Sequence, residues 1–330
     1  SACGLQRTQY WPYFLLVYSR EALMQVEGIS FTYASNPKNV VKNSSHLMQR
    51  CPRAFVLRYG IAAYAASHPT GQLLKDSFAI QTPWILMQMS IRDTIRDYVE
   101  DYQMGMKWSR NLVQLKFNQA FRYRIQDRNS IIVQLKEWKE PDSIFRRVKP
   151  EKHLEEIGAE RCAKLIGNES FKHILDTMDL KSIPATRSKL VDGIKVYNSS
   201  DFCAKKGADS FLIRINLFGY SSDDEINQNA ALFSLGTENQ TIMQYSWKNG
   251  KWFIHKTNVS TKENKSIRRL ILLDSQEMER ILKLVGSKNN LEQVPFADSS
   301  RTCMHCSIRF LCPAKNRLEE AKGEQMALMC

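Results

Sequence analysis

Cys303-Met304-His305-Cys306-Ser307-Ile308-Arg309-Phe310-Leu311-Cys312-Pro313 sets three thiols within ten residues. The first two form a C-x2-C, a spacing that lets two sulfurs converge on one metal ion or one iron corner, and Cys312 adds a third. Three thiolates can wrap one face of a tetrahedral or cuboidal site, so a fourth ligand has to come from elsewhere. Cys3 has no local context and Cys330 is the last residue, whereas Cys51 stands in Cys51-Pro52-Arg53-Ala54-Phe55, inside a helical pattern. Zinc is open at this point, with His305 or His46 as further ligands, and so is an iron–sulfur cluster. Eight cysteines in 330 residues make no disulfide scaffold. In a reducing compartment, clustered cysteines usually mean metal.

The remaining composition narrows the partners. Hydrophobic residues at 43% and aromatics at 10% supply a core, which excludes a disordered chain. A formal net charge of +13 attracts polyanions through counterion release, which makes nucleic acid the first partner to expect and an anionic membrane the second. The apolar stretch 10–18 is interrupted by Pro12 and lacks a basic leader, and no run of about 20 apolar residues occurs. The expectation is an intracellular protein, in the cytoplasm or in a nucleoid or organellar matrix, with no membrane partner. No G-x4-G-K-[ST], G-x-S-x-G or H-E-x-x-H is present, so helicase, serine-hydrolase and zincin classes lack support.

Periodicity organises the chain. Ser44-Ser45 opens an amphipathic helix carrying Leu47, Met48, Cys51, Phe55, Val56 and Tyr59, with Gly60 as its stop. A second helix is predicted over 83–102, with Pro83 in its first turn. Phe121–Gln126 and Ser130–Trp138 read as a β-hairpin about Asp127-Arg128-Asn129, and 150–178 as one polar helix. Strands follow at 189–197 and 210–218, then a helix over 223–235. Asn249-Gly250 joins 241–247 and 252–257 in a type I′ hairpin, and 275–285 is helical. This order predicts an α/β fold with a helical N-terminal part. Four regions result: an N-terminal extension over 1–43, a helical region with a hairpin insertion over 44–187, an α/β core over 188–302, and the cysteine segment over 303–330.

The passage Ser44-Ser45-His46-Leu47-Met48-Gln49-Arg50-Cys51-Pro52-Arg53-Ala54-Phe55-Val56-Leu57-Arg58-Tyr59-Gly60, followed far downstream by C-x2-C-x5-C-P, resembles the iron–sulfur branch of the RecB-like PD-(D/E)XK nucleases. That branch includes the CRISPR adaptation exonucleases and the AddB nuclease domain. The resemblance covers 44–60 and about 188–313. It implies a restriction-endonuclease-type core, a mixed sheet flanked by helices, closed by a [4Fe–4S] cluster on Cys51, Cys303, Cys306 and Cys312.

The resemblance also implies a Mg²⁺ site, and most of its positions look altered. The family's helical His falls at Arg92. Its second acid and its lysine fall at Arg214 and Asn216. Asp192 is the candidate for the first acid, and Gln228 fits the helical Gln. Arg214 would repel Mg²⁺ and suit a phosphate oxygen. A rival site is Asp127 with Glu137 and Lys139. The expectation is therefore a catalytically inactive subunit that binds DNA, single-stranded or at ends, alongside other subunits of a nucleic-acid machine. The alternatives are an active Mg²⁺-dependent exonuclease and a zinc-stabilised interaction module. Arg122, Arg124, Arg128, Arg146 and Arg147, interleaved with Phe121, Tyr123, Trp138 and Phe145, form the candidate surface for unpaired bases and phosphates.

Overall fold

Phe202 and Ala204, then Phe211, Ile213 and Ile215, then Met243, Tyr245 and Trp247 alternate along Phe202–Lys206, Asp209–Asn216 and Thr241–Lys248, and these three segments form the middle of a sheet. The computed structural model describes residues 44–62, 71–135, 151–184, 189–197, 200–207, 209–217, 223–235, 241–285 and 293–297, with 302, 303, 306, 308 and 312. The expected N-terminal extension, Arg146, Arg147, Glu137 and Lys139 lie outside them.

Among the described residues the chain opens with helices α1 (Ser44–Arg50), α2 (Pro52–Phe55), α3 (Gly71–Ala79), α4 (Pro83–Gln103), α5 (Arg110–Gln134) and α6 (Glu151–Ile166). A π-helical turn, Val56–Ile61, continues α2. After α7 (Glu169–Thr177) come strands β1 (Asp179–Ser182), β2 (Lys189–Val191), β3 (Ile194–Val196), β4 (Phe202–Lys206) and β5 (Asp209–Asn216). The chain continues through α8 (Asp223–Ser234), β6 (Thr241–Lys248), β7 (Lys251–Asn258) and α9 (Thr261–Val285).

The main sheet has the order β1-β4-β5-β6-β7, and β2-β3 form a separate two-stranded sheet. All main-sheet pairs are antiparallel except β5 with β6, whose parallel register is bridged by α8. One face carries Phe202, Ile213, Ile215, Met243 and Tyr245 against the apolar stripes of α4, α5, α6 and α7. The other carries Leu212 and Ile242 against α8, α9 and the β2–β3 hairpin. The result is a mixed α/β architecture with helices on both faces of the sheet. Among the described residues no helix is long and apolar enough to cross a membrane.

Four expectations need correction. The predicted hairpin at 121–138 is helical through Gln134, because Val113, Phe117, Phe121 and Ile125 recur every four residues and are all buried. Gly158 on α6 makes this packing possible, since a Cβ there would fall 1.9 Å from Phe117 Cζ. The single helix over 150–178 breaks at Gly167, and Asn168 caps α7 by accepting from Phe171 N at 3.1 Å. The strand over 189–197 is two strands joined by Asp192-Gly193, both at positive φ (49° and 82°), as a two-residue I′ turn requires. The helix over 275–285 begins fourteen residues earlier, at Thr261, behind a capping box. There Ser260 Oγ accepts from Glu263 N at 3.2 Å, and Glu263 Oε2 accepts from Ser260 N at 2.8 Å.

Candidate functional site

Pro52 disfavours helical geometry in the residue before it, so Cys51 is extended (φ −158°, ψ 96°) and separates α1 from α2. Its thiol becomes the N-cap of α2, Sγ accepting from Ala54 N at 3.4 Å. Cys51, Cys306 and Cys312 then border a small apolar cluster of Ala54, Leu57, Leu74, Phe78 and Ile308. Cys303 is buried, and its carbonyl accepts from Cys306 N at 3.1 Å. All four cysteines are free thiols.

The electrostatics place the four sulfurs in one neighbourhood. Burial pushes the Cys306 thiol up to about 12, and Cys51, Cys312 and Cys303 each add to the rise. Cys312 is pushed up to about 11, again first by burial, with Cys51 and Cys303 raising it and Arg53 opposing. Thiols that resist ionising beside one another are ones that a shared cation would ionise together. Arg53 is the positive group already present. Its buried guanidinium donates twice to Val294 O (2.9 and 3.2 Å), lies 3.6 Å from the Phe296 ring centroid, and hydrogen-bonds the Cys312 thiol. Among the described residues no three His, Cys, Asp or Glu side chains are arranged to hold a single metal ion. Tetrahedral zinc, with Zn–S of about 2.3 Å, needs its sulfurs about 3.8 Å apart. A four-iron cluster takes one thiolate per iron and so accepts a wider set.

The second constellation lies on the sheet. Arg214 and Asn216 are two apart on β5, buried on the same face, as their spacing predicts. Arg214 stands opposite Gln244 on β6, and Gln244 opposite His255 on β7. The acid that pairs with Arg214 is Asp201, which the sequence reading missed. It sits one residue before β4, is buried, and accepts from Ile215 N at Oδ2 (2.7 Å) and from Arg214 Nη1 at Oδ1 (3.3 Å). Arg92 reaches in from α4, with Nε 3.9 Å from the same Oδ1 and Nη2 donating to Ile215 O at 3.2 Å. Burial, then the neighbouring Arg214, lowers Arg92 to about 10, while Asp201 opposes. Two guanidiniums therefore share one buried carboxylate.

The other predicted residues are elsewhere. Asp192 lies in the β2–β3 turn with half its side chain exposed, paired to Arg268 at 3.3 Å, and does not join Arg214. Gln228 is exposed, while Ile226, Asn229, Ala230, Ala231, Phe233 and Ser234 are the buried residues of α8. Asp127 is exposed on helix α5, so the rival hairpin site is not formed there. Arg122, Arg124 and Arg128 make no common stripe on that helix. Arg122 is held by Glu155 at 2.6 and 2.9 Å and Arg124 by Asp93, while Arg128 is buried and donates to Gln81 O at 2.9 Å. The signal for Asp201 was an acid directly preceding a strand that turns back, through Gly207, onto the strand of Arg214.

No family model matches this chain, and no curated protein matches it. Among solved structures it is similar to the crystal structure of SSO0001, at 16% identity over 70% of this chain and 97% of that chain, with a TM-score of 0.27. A likeness at that score carries no argument about fold or function.

Proposed function

We propose that this chain is a RecB-like nuclease fold kept for binding DNA and catalytically inactive, with Cys51, Cys303, Cys306 and Cys312 holding a structural [4Fe–4S] cluster. The observation that carries the reading is the buried Asp201–Arg214 pair with Arg92 against it. Hard cations such as Mg²⁺ are held by carboxylate oxygens, and two guanidiniums around one carboxylate repel them. The same groups suit phosphate oxygens. The meander β1-β4-β5, followed by a helical crossover to parallel β6, supports the fold part of the reading. The net charge of +13 supports a nucleic-acid partner.

The all-sulfur donor set around Cys51 supports the cluster, since soft thiolates suit iron–sulfur centres. When bound, the cluster supplies iron–thiolate bonds that join α1–α2 to the C-terminal cysteine segment. The chain's own residues prepare that closure: Pro52 sets the Cys51 backbone, and Arg53 ties Cys312 and residues 293–297 to α2. The protein works inside the cell, where thiols stay reduced, beside other subunits of a DNA-processing, recombination or defence complex.

Two measurements test this. Anaerobically purified protein should contain iron and sulfide and show broad absorbance that bleaches with dithionite; stoichiometric zinc instead would sink the cluster. End-labelled single-stranded DNA should be bound, with affinity falling as salt rises, and stay intact in Mg²⁺ or Mn²⁺. Degradation that chelation stops and Asp201→Asn abolishes would overturn the inactive reading.

A further inference from the structure

Trp84, Gln88, Arg92 and Arg96 recur at four-residue spacing on α4, which stacks them along one helix face. At the Trp84 end the stripe meets α6 and β6. The Arg161 guanidinium lies 5.2 Å from the Trp84 ring and 5.0 Å from the Trp247 ring, between the two indoles. Lys164 sits 5.6 Å from the Trp247 ring and donates to Gly250 O at 3.2 Å. Arg161 Nη1 donates to Leu217 O at 3.3 Å. With the Gln88 amide turned so that its oxygen faces inward, that oxygen accepts from Arg161 Nη1 (3.1 Å) and Trp84 Nε1 (3.3 Å). Arg161 is only 8% exposed, and its Nε is buried with no hydrogen-bond partner among the described residues.

Further along α4 the stripe is cationic. Arg92 grips Ile215 O, two residues before the Leu217 carbonyl that Arg161 holds. Arg96 follows one turn later. It makes no ion pair among the described residues, and its Nε is buried without a partner. Of the nearby carboxylates, Asp93 is held by Arg124, Glu160 by Lys164, Glu100 by the Ser182 hydroxyl and Asp101 by the Trp108 indole, while burial and the like charges of Asp93, Glu100 and Asp101 raise the pKa of Asp97. Indole surface at one end and, at the other, a guanidinium with no ion pair among the described residues thus lie on one strip, spanning about 18 Å of helix axis.

We infer that this strip, Trp247–Trp84–Arg92–Arg96, is the binding surface for single-stranded DNA, the half-buried indoles stacking unpaired bases and the arginines taking backbone phosphates. Aromatic platforms interleaved with cations are the recurring solution for single strands. An indole recessed between a helix and strand ends can meet a splayed base, whereas a duplex keeps its base faces stacked. The surface is distinct from the arginine run at 122–147 that the sequence suggested. This inference rests on the DNA-binding reading.

Fluorescence anisotropy of labelled oligo-dT on the intact protein tests it, with a duplex of equal length alongside. Trp247→Ala and Trp84→Ala should each weaken single-strand binding about 5- to 100-fold, while Trp247→Phe retains most of it. Arg96→Gln, which breaks no observed pair, should reduce the slope of log affinity against log salt by about 0.7. Should either tryptophan variant fail to melt cooperatively, Arg96→Gln and Trp247→Phe carry the test. Wild-type binding that all these variants leave unchanged overturns the strip but not the DNA-binding reading. Absence of wild-type binding overturns both, and equal losses on duplex overturn the single-strand assignment.

Discussion

Asp201 Oδ1 lies 3.3 Å from Arg214 Nη1 across the β4–β5 ladder, both residues buried and drawn from opposite ends of a short hairpin. Arg92 makes the pair a triad with an excess of positive charge.

Removing the single acid of that triad is the most disruptive change open to this region. Asp201→Ala removes the counter-charge of two buried guanidiniums and the acceptor of the Ile215 N–H, and should cost about 3–5 kcal/mol in urea denaturation. Asp192→Asn removes only an exposed pair and keeps a residue that tolerates the positive φ of the turn, and should cost less than about 1 kcal/mol. Equal small losses at both positions would mean that Asp201 is solvated in solution.

The contact of Phe117 with Gly158 offers a steric test of the α5–α6 packing. Gly158→Ala forces a methyl group onto the Phe117 ring, 1.9 Å from Cζ, and should destabilise by about 1–3 kcal/mol despite the better helix propensity of alanine. A thermal melt shifted upward would contradict the helical arrangement of 110–134.

His255 gives the sheet a pH dependence. Its Nε2 lies 2.8 Å from Ser246 Oγ, and burial, with a smaller contribution from Lys248, holds it below its ordinary value of 6.5 against the pull of Asp223. The unfolded chain therefore takes up a proton first as pH falls below 6.5, so this residue's contribution to stability is present at neutral pH and lost on the acid side. Denaturation midpoints at neutral and mildly acidic pH should diverge less in His255→Asn than in the wild type.

Arg53 joins the cysteine pocket to residues 293–297. Arg53→Met keeps most of the stem but leaves Val294 O without its two donors, at a cost of about 1–3 kcal/mol. Under the proposed cluster, the same variant should also lose iron faster to a chelator than the wild type, a rate measured by absorbance decay.

Local chemistry makes part of this protein legible in its sequence. Asn249-Gly250 demands positive φ (50° and 75°), and these two residues turn β6 into β7 as expected. Pro83 behind Thr82, whose Oγ accepts from Ile85 N at 3.2 Å, starts α4 where the pattern placed it. The period of two put Arg214 and Asn216 on one face of one strand. The window from Phe121 was ambiguous because Phe121, Tyr123 and Ile125 also alternate; only the earlier Val113 and Phe117 reveal the four-residue period.

The pairings across the chain were beyond such signals. By itself the sequence determined which segments turn, cap and alternate, because those depend on backbone sterics within a few residues. Tertiary structure alone decided that Asp201, not Asp192, meets Arg214, and that Trp84 and Trp247 close on Arg161. Each of those contacts is set by burial against a distant partner and by ladder register, and a one-residue shift of a strand would have sent each of its side chains to the other face.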